Sequence, residues 1–262
     1  MKQGISALQH QYRDSSNFRK RSALVGKFST NRYPWYRWVY DQFELSSGST
    51  VLELGCGPGS LWKRNLDRIP PRSTIILSDF SAGMLRDSGR NLEVNRSRFS
   101  FCQLDAAVLP FRASCFDAVV ANMMFYHVDD RPAALRDIRR ILRQNGRFYA
   151  TTTGREYMRE LNAAATRILQ IPRHMPSAER FGLENGFEQL HSVFAQVEIR
   201  RYHNELRVTQ VEPLIDYFAS MEPFISSSPE RWSALREYFQ NTINQRGEIA
   251  IPIDVGVLIA RD

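Results

Sequence analysis

The sequence predicts an α/β fold: a seven-stranded, mostly parallel sheet with helices on both faces and helical cap insertions. Two observations carry this. From Thr50 to Thr152, short β-branched or apolar runs alternate with helical patterns, and after Gly154 two more strand-like runs follow longer helical stretches. A hydrophobic share of 43% and a charged share of 24% over 262 residues suit one chain with its own buried core.

Taken in order, the first 45 residues form a helical and aromatic segment, with Tyr33, Trp35, Tyr36, Trp38, Tyr40 and Phe43 crowded ahead of the first strand. Such density fits either a helix docked on the core or an aromatic wall beside a ligand, and the sequence leaves both open. Residues 46–154 form the sheet core, with strands expected at Thr50 to Leu54, Thr74 to Ser78, Phe99 to Leu104, Asp117 to Asn122 and Arg147 to Thr152. A helical pattern from Ser60 to Arg68 follows the first strand. Between the fourth and fifth strands, Leu135, Ile138, Ile141 and Leu142 repeat at helical spacing. Asp129 and Asp130 mark that helix's entry, Pro132 its first turn and Asn145-Gly146 its exit. Residues 155–195 read as an inserted helical segment, amphipathic from Glu156 to Gln170 and broken by Pro172 and Pro176. Residues 196–262 supply the last two strands, Val197 to Tyr202 and Ile249 to Ala260. A helical cap insertion at 205–247 lies between them, patterned over Val211 to Met221 and Glu230 to Gln245.

Composition narrows the function classes. The formal charge of +7 is scattered, carried almost wholly by arginine, and forms no block of the kind that tracks a nucleic-acid backbone. Three cysteines, Cys56, Cys102 and Cys115, lack paired metal-ligand spacing, so no metal site and no disulfide framework are expected. The polar opening Met1-Lys2-Gln3-Gly4 has no leader character, and no apolar run reaches bilayer length; the expectation is a cytoplasmic protein without a membrane span.

The chemistry concentrates in Glu53-Leu54-Gly55-Cys56-Gly57-Pro58-Gly59, which follows an apolar strand and opens a helical segment. Glycines there let the backbone turn sharply and approach a ligand closely. Asp79, at the end of the second strand about twenty residues on, is placed to accept from ribose hydroxyls. The glycines stand at first, third and fifth positions, not the first, third and sixth of the dinucleotide fingerprint. Glu53 would repel a pyrophosphate yet suits a sulfonium and an amino group. A cationic ligand is favoured over a dinucleotide.

Val51-Leu52-Glu53-Leu54-Gly55-Cys56-Gly57-Pro58-Gly59 resembles the first motif of class I S-adenosylmethionine-dependent methyltransferases. The likeness continues through Ser78-Asp79-Phe80-Ser81-Ala82-Gly83-Met84-Leu85, Leu104-Asp105-Ala106 with Leu109-Pro110-Phe111, and Phe116-Asp117-Ala118-Val119-Val120, covering roughly residues 30 to 155. The resemblance implies a Rossmann-like core and S-adenosylmethionine as cofactor, leaving S-adenosylhomocysteine. It implies that Gly55, Gly57 and Gly59, with Glu53 and Cys56, line the methionine end. Asp79 would hold the ribose, Phe80 and Met84 flank the adenine, and Asp105 accept from its exocyclic amine beside the Ala106 backbone amide. Asn122 would lie near the amino group or sulfur. Phe80 and Met84 also fit plain core positions, and Asn122 a strand cap. The segment Phe181-Gly182-Leu183-Glu184-Asn185-Gly186, with Asp216-Tyr217, is similar to small bacterial methyltransferases of the same broad group.

For the reaction, His127 in Met123-Met124-Phe125-Tyr126-His127-Val128 is the candidate general base, with Tyr126 to orient the acceptor. A loop histidine held by its neighbours is the competing reading of His127. His174 and His203 have weaker claims. The place of an Asn-Pro-Pro-Tyr-like tetrad is taken by Asn122-Met123-Met124-Phe125, an apolar surface that suits a small organic acceptor over a nucleic acid. RNA or protein methylation, and cofactor binding without catalysis, are the alternatives.

Overall fold

The computed structural model describes residues 11–171, 177–222 and 224–262. Its sheet has seven strands: β1 (Thr50–Leu54), β2 (Thr74–Asp79), β3 (Phe99–Gln103), β4 (Phe116–Asn122), β5 (Leu142–Thr153), β6 (Gln196–Val208) and β7 (Ile249–Arg261). Their spatial order is β3-β2-β1-β4-β5-β7-β6. β1 to β5 run parallel, and β7 is antiparallel to β5. The predicted α/β sheet, mostly parallel with helices around it, is what forms.

The described residues fall into two compact units. One comprises 33–155, 177–202 and 255–262 and holds β1 to β5. Its central strands are apolar on both faces because helices cover both: Val51, Leu52, Leu54, Val119 and Val120 are each 0% exposed. The other comprises 11–32, 156–171, 203–222 and 224–254; there Phe218 packs on Phe224 and Phe239 among helices Ser16–Phe28, Glu212–Ala219 and Pro229–Arg246. Among the described residues, no helix is long and apolar enough to cross a membrane.

Three local differences have physical causes. The helix after β4 spans Arg131–Ile141, capped by Asp130 accepting from the Ala133 N–H at 3.0 Å, but it stops well before Asn145-Gly146. Those two residues belong to an irregularity in β5, where the β4 register jumps from Phe116↔Leu142 to Ala118↔Arg147. Asn145 has φ +67°, and a Cβ on Gly146 would stand 2.9 Å from the Arg143 carbonyl, so the pair serves the strand kink and not a helix exit. The helix after the glycine loop covers only Ser60–Lys63, because the buried Asn65 side chain takes the Leu61 carbonyl at 2.7 Å and the Tyr36 carbonyl at 2.9 Å. β6 runs six residues past the expected Tyr202: Leu206 and Val208 continue the buried face of Tyr202, but the polar Asn204 interrupts the apolar alternation between them.

The aromatic segment is chiefly packing. Trp35 stacks on Trp38 at 5.5 Å and meets Tyr202 edge-on, while Tyr40 and Phe43 close around Trp62 and Tyr149.

Candidate functional site

β2 leaves β1 on one side and β4 adjoins it on the other, so the strand order reverses at the carboxyl ends of β1 and β4. In open α/β sheets that reversal opens a crevice where ligands bind. The glycine loop leaves β1 there, and the loop 122–127 leaves β4 beside it, since Leu54 pairs with Ala121.

The three glycines have three different reasons. Gly57 has φ +54°, and a Cβ added there would meet nothing within 4 Å, so its bare face is the open one. A Cβ on Gly55 would stand 2.8 Å from the Met124 side chain; this glycine makes room for the neighbouring loop. A Cβ on Gly59 would stand 2.6 Å from Ser88 Oγ and 3.0 Å from Leu92, so Gly59 serves packing against helix Ala82–Asn91.

Asp79 spans the turn from beneath: Oδ2 accepts from the Gly57 N–H at 2.9 Å and Oδ1 from the Ser81 N–H at 2.8 Å. Burial raises its pKa, and those two N–H groups oppose the shift. A carboxylate has about four lone-pair sites, so two stay available to a ligand's hydroxyls. Ser78, given no role from the sequence, fastens the loop: its Oγ donates to the Glu53 carbonyl at 2.7 Å and its carbonyl accepts from the Cys56 N–H at 2.8 Å.

Glu53 is 1% exposed and accepts from Trp62 Nε1 at 2.7 Å. Burial pushes its carboxyl up to about 8, the Trp62 N–H pulls the other way, and Asp79 adds to the rise. Tyr36, half-buried, faces the same place: burial pushes its hydroxyl up to about 12, with Ser60 as hydrogen-bond partner and Glu53 nearby. Nothing in a run of aromatics separates Tyr36 from its packing neighbours. Cys56 is buried and its thiol pKa is raised by that burial, which keeps it protonated and unreactive.

Of the remaining candidates, Phe80 is 45% exposed, a bare ring at the end of β2. Met84, at 2%, lies in the interior. Asp105 is exposed and accepts from the Ala107 N–H at 2.9 Å; Ala106 is buried beside it. Asn122 is half-buried and accepts from Thr151 Oγ1 at 2.7 Å. Tyr126 donates its hydroxyl proton to the Met123 carbonyl at 2.6 Å, which ties down its own loop. Its ring meets His127 at 4.6 Å, and both are half-buried. Phe125 is fully buried against Phe148 and Phe181, so of the apolar Met-Met-Phe run it belongs to the core. His203 is exposed on β6, and His174 lies outside the described residues.

These parts suit an adenosyl group with a sulfonium: a bare glycine face at Gly57, a carboxylate with lone pairs in reserve and an exposed ring one residue on. A family model described as "Methyltransferase domain" matches residues 52–150. Residues 52–150 are a class I S-adenosylmethionine-dependent methyltransferase domain. The chain is 33% identical over 115 residues to a ubiquinone/menaquinone biosynthesis C-methyltransferase, UbiE, of Xylella fastidiosa strain M23, covering 43% of this chain and 45% of that protein. The UbiE of Hahella chejuensis matches at 33% over 117 residues. The chain thus spans under half the length of these relatives. Among solved structures, YcgJ of Bacillus subtilis has a TM-score of 0.60 at 15% identity, covering 87% of this chain and 98% of that one. Phosphoethanolamine N-methyltransferase 2 of Haemonchus contortus, in complex with S-adenosyl-L-methionine, has 0.61 at 16%, covering 98% of this chain and 59% of that one. The [4+2]-cyclase SpnF has 0.58 at 18%, covering 97% of this chain and 94% of that one. At such identities the likeness to the methyltransferase domain concerns its fold.

Proposed function

We propose that the protein transfers the methyl group of S-adenosylmethionine to a small organic acceptor in cofactor or secondary metabolism, and that it works in the cytoplasm. The supporting observation is the strand-order switch point, where one turn joins the bare Gly57 face to Asp79, with Asn122 and His127 at the adjoining end of β4 and its loop. The UbiE relatives, named for a C-methyltransferase of quinone biosynthesis, support a small acceptor.

Bound there, S-adenosylmethionine supplies an activated methyl on a sulfonium. The chain's own residues do the rest. Asp79 offers its remaining lone pairs to the ribose, Phe80 its ring to the adenine, and Asp105 its carboxylate to the exocyclic amine. The loop 122–127 sets the acceptor in line, and His127 takes a proton where the nucleophile must lose one. Positioning and exclusion of water supply most of the rate.

Calorimetry with S-adenosylmethionine and S-adenosylhomocysteine is the first test; both should bind saturably. The absence of both heat and stabilisation at millimolar ligand would defeat the proposal. Because this fold also carries a [4+2]-cyclase, the second test reads transfer itself, as labelled methyl in phenolic and quinone-like acceptors set against RNA and protein pools. Label confined to RNA or protein would replace the small acceptor. His127→Ala should lower turnover more than cofactor affinity, and equal turnover removes the histidine from proton transfer.

A further inference from the structure

We propose that Thr151 is a positioning residue that holds Asn122 as a hydrogen-bond donor facing the crevice, so that the ligand atom opposite Asn122 is an oxygen.

Thr151 lies on β5 directly across from Asn122 on β4 and is 0% exposed. Its hydroxyl Oγ1 accepts from the Met123 N–H at 2.9 Å and lies 2.7 Å from Asn122 Oδ1. A hydroxyl has one proton to give. With the Met123 N–H in one lone pair, that proton goes to Asn122 Oδ1. Turning the amide round would point its N–H at the hydroxyl and strand a buried hydroxyl proton, which is the costlier arrangement. Asn122 therefore shows the site its Nδ2, which makes no hydrogen bond among the described residues.

The backbone around this amide is fixed as well. Met123 has φ +55°, a left-handed conformation that a side chain disfavours. It is held at both ends: its N–H by Thr151, and its carbonyl by the Tyr126 hydroxyl at 2.6 Å. Met124 then packs into the clearance left by Gly55. Threonine suits the task because its branched Cβ leaves few rotamers, so the hydroxyl stays aimed. An N–H donor repels a sulfonium or ammonium and seeks an oxygen. Two sources offer one: the carboxylate at the amino-acid end of the cofactor, or an oxygen on the methyl acceptor.

The inference rests on the crevice being the cofactor site, and the test separates the two. The probes are S-adenosylhomocysteine and 5′-methylthioadenosine, which lacks the carboxylate, together with the Asn122 side-chain amide signals in ¹H–¹⁵N spectra, identified by their loss in Asn122→Asp. Thr151→Val should move those signals in the ligand-free protein, and Thr151→Ser should return them. If the cofactor carboxylate is the partner, Thr151→Val and Asn122→Asp each weaken S-adenosylhomocysteine by about 5- to 10-fold, Thr151→Ser restores it, and methylthioadenosine is unaffected. If the acceptor's oxygen is the partner, the signals move while both affinities hold. Unmoved signals in Thr151→Val overturn the proposal. Should that variant not fold, Asn122→Asp decides alone: tighter binding of S-adenosylhomocysteine overturns the donor assignment, and weaker or equal binding upholds it. Failure of the wild type to bind S-adenosylhomocysteine would defeat the functional reading, while the amide signals would still report on Thr151.

Discussion

Replacing Glu53 by Gln should make the protein more stable, and increasingly so as pH rises. The side chain is 1% exposed, and its pKa is pushed from the ordinary 4.5 to about 8, chiefly by burial. Between those two values the unfolded chain has lost the proton and the folded chain keeps it. The folded state then binds more protons, so stability falls with rising pH. The contribution of this group is complete below pH 4.5, declines by about 1.4 kcal/mol per pH unit, and is gone above pH 8, roughly 5 kcal/mol in all. Glutamine keeps an oxygen for the Trp62 N–H at 2.7 Å but cannot ionise. Urea unfolding of wild type and Glu53→Gln at pH 5.5 and pH 9 isolates the effect, since other titrating groups cancel in the difference. The gap should widen by about 3 kcal/mol between the two conditions. A constant gap would mean that Glu53 ionises normally in the folded protein and that the interior around Trp62 does not exclude charge.

Gly59→Ala should cost about 2 to 3 kcal/mol of stability, because its Cβ would stand 2.6 Å from Ser88 Oγ at a φ of +72°. Gly57→Ala should cost only about 1 kcal/mol, from its positive φ, while weakening S-adenosylmethionine more than tenfold; thermal melts with calorimetry separate the two, and matching profiles would refute the division of labour. At pH 7.5 the sulfonium of S-adenosylmethionine should favour ionised Glu53 and release more protons on binding than S-adenosylhomocysteine does. Calorimetry in buffers of different ionisation enthalpy reads this directly, and equal release places Glu53 out of reach of the sulfonium.

The core strands were legible because each is a short apolar run bounded by turn residues, and β1, β2 and β4 begin and end within one residue of their sequence-drawn limits. Asn145-Gly146 misled because the same pair that ends a helix also relieves a crowded strand kink, and only the approach of the Phe116 and Arg143 carbonyls distinguishes them. At the site, the glycine turn and Asp79 could be read from spacing, since a ligand loop and its neighbouring strand lie close in sequence. Thr151, Trp62 and Ser78 could not. Their importance comes from pairings across strands or from burial beside a carboxylate, and a lone threonine, tryptophan or serine in sequence carries no mark of either. Glu53 shows the same limit in reverse. A charge was read from its letter, and burial makes it a largely neutral acid below about pH 8.

β7 comes last among the strands in the chain yet lies inside the sheet, with β5 on one flank and β6 on the other. During synthesis, residues 148–153 therefore wait with one margin unpaired until residues 255–260 have left the ribosome. A nascent chain halted before that point would present the Phe148–Thr153 margin to other chains, so residues 255–260 govern whether newly made protein matures or clumps.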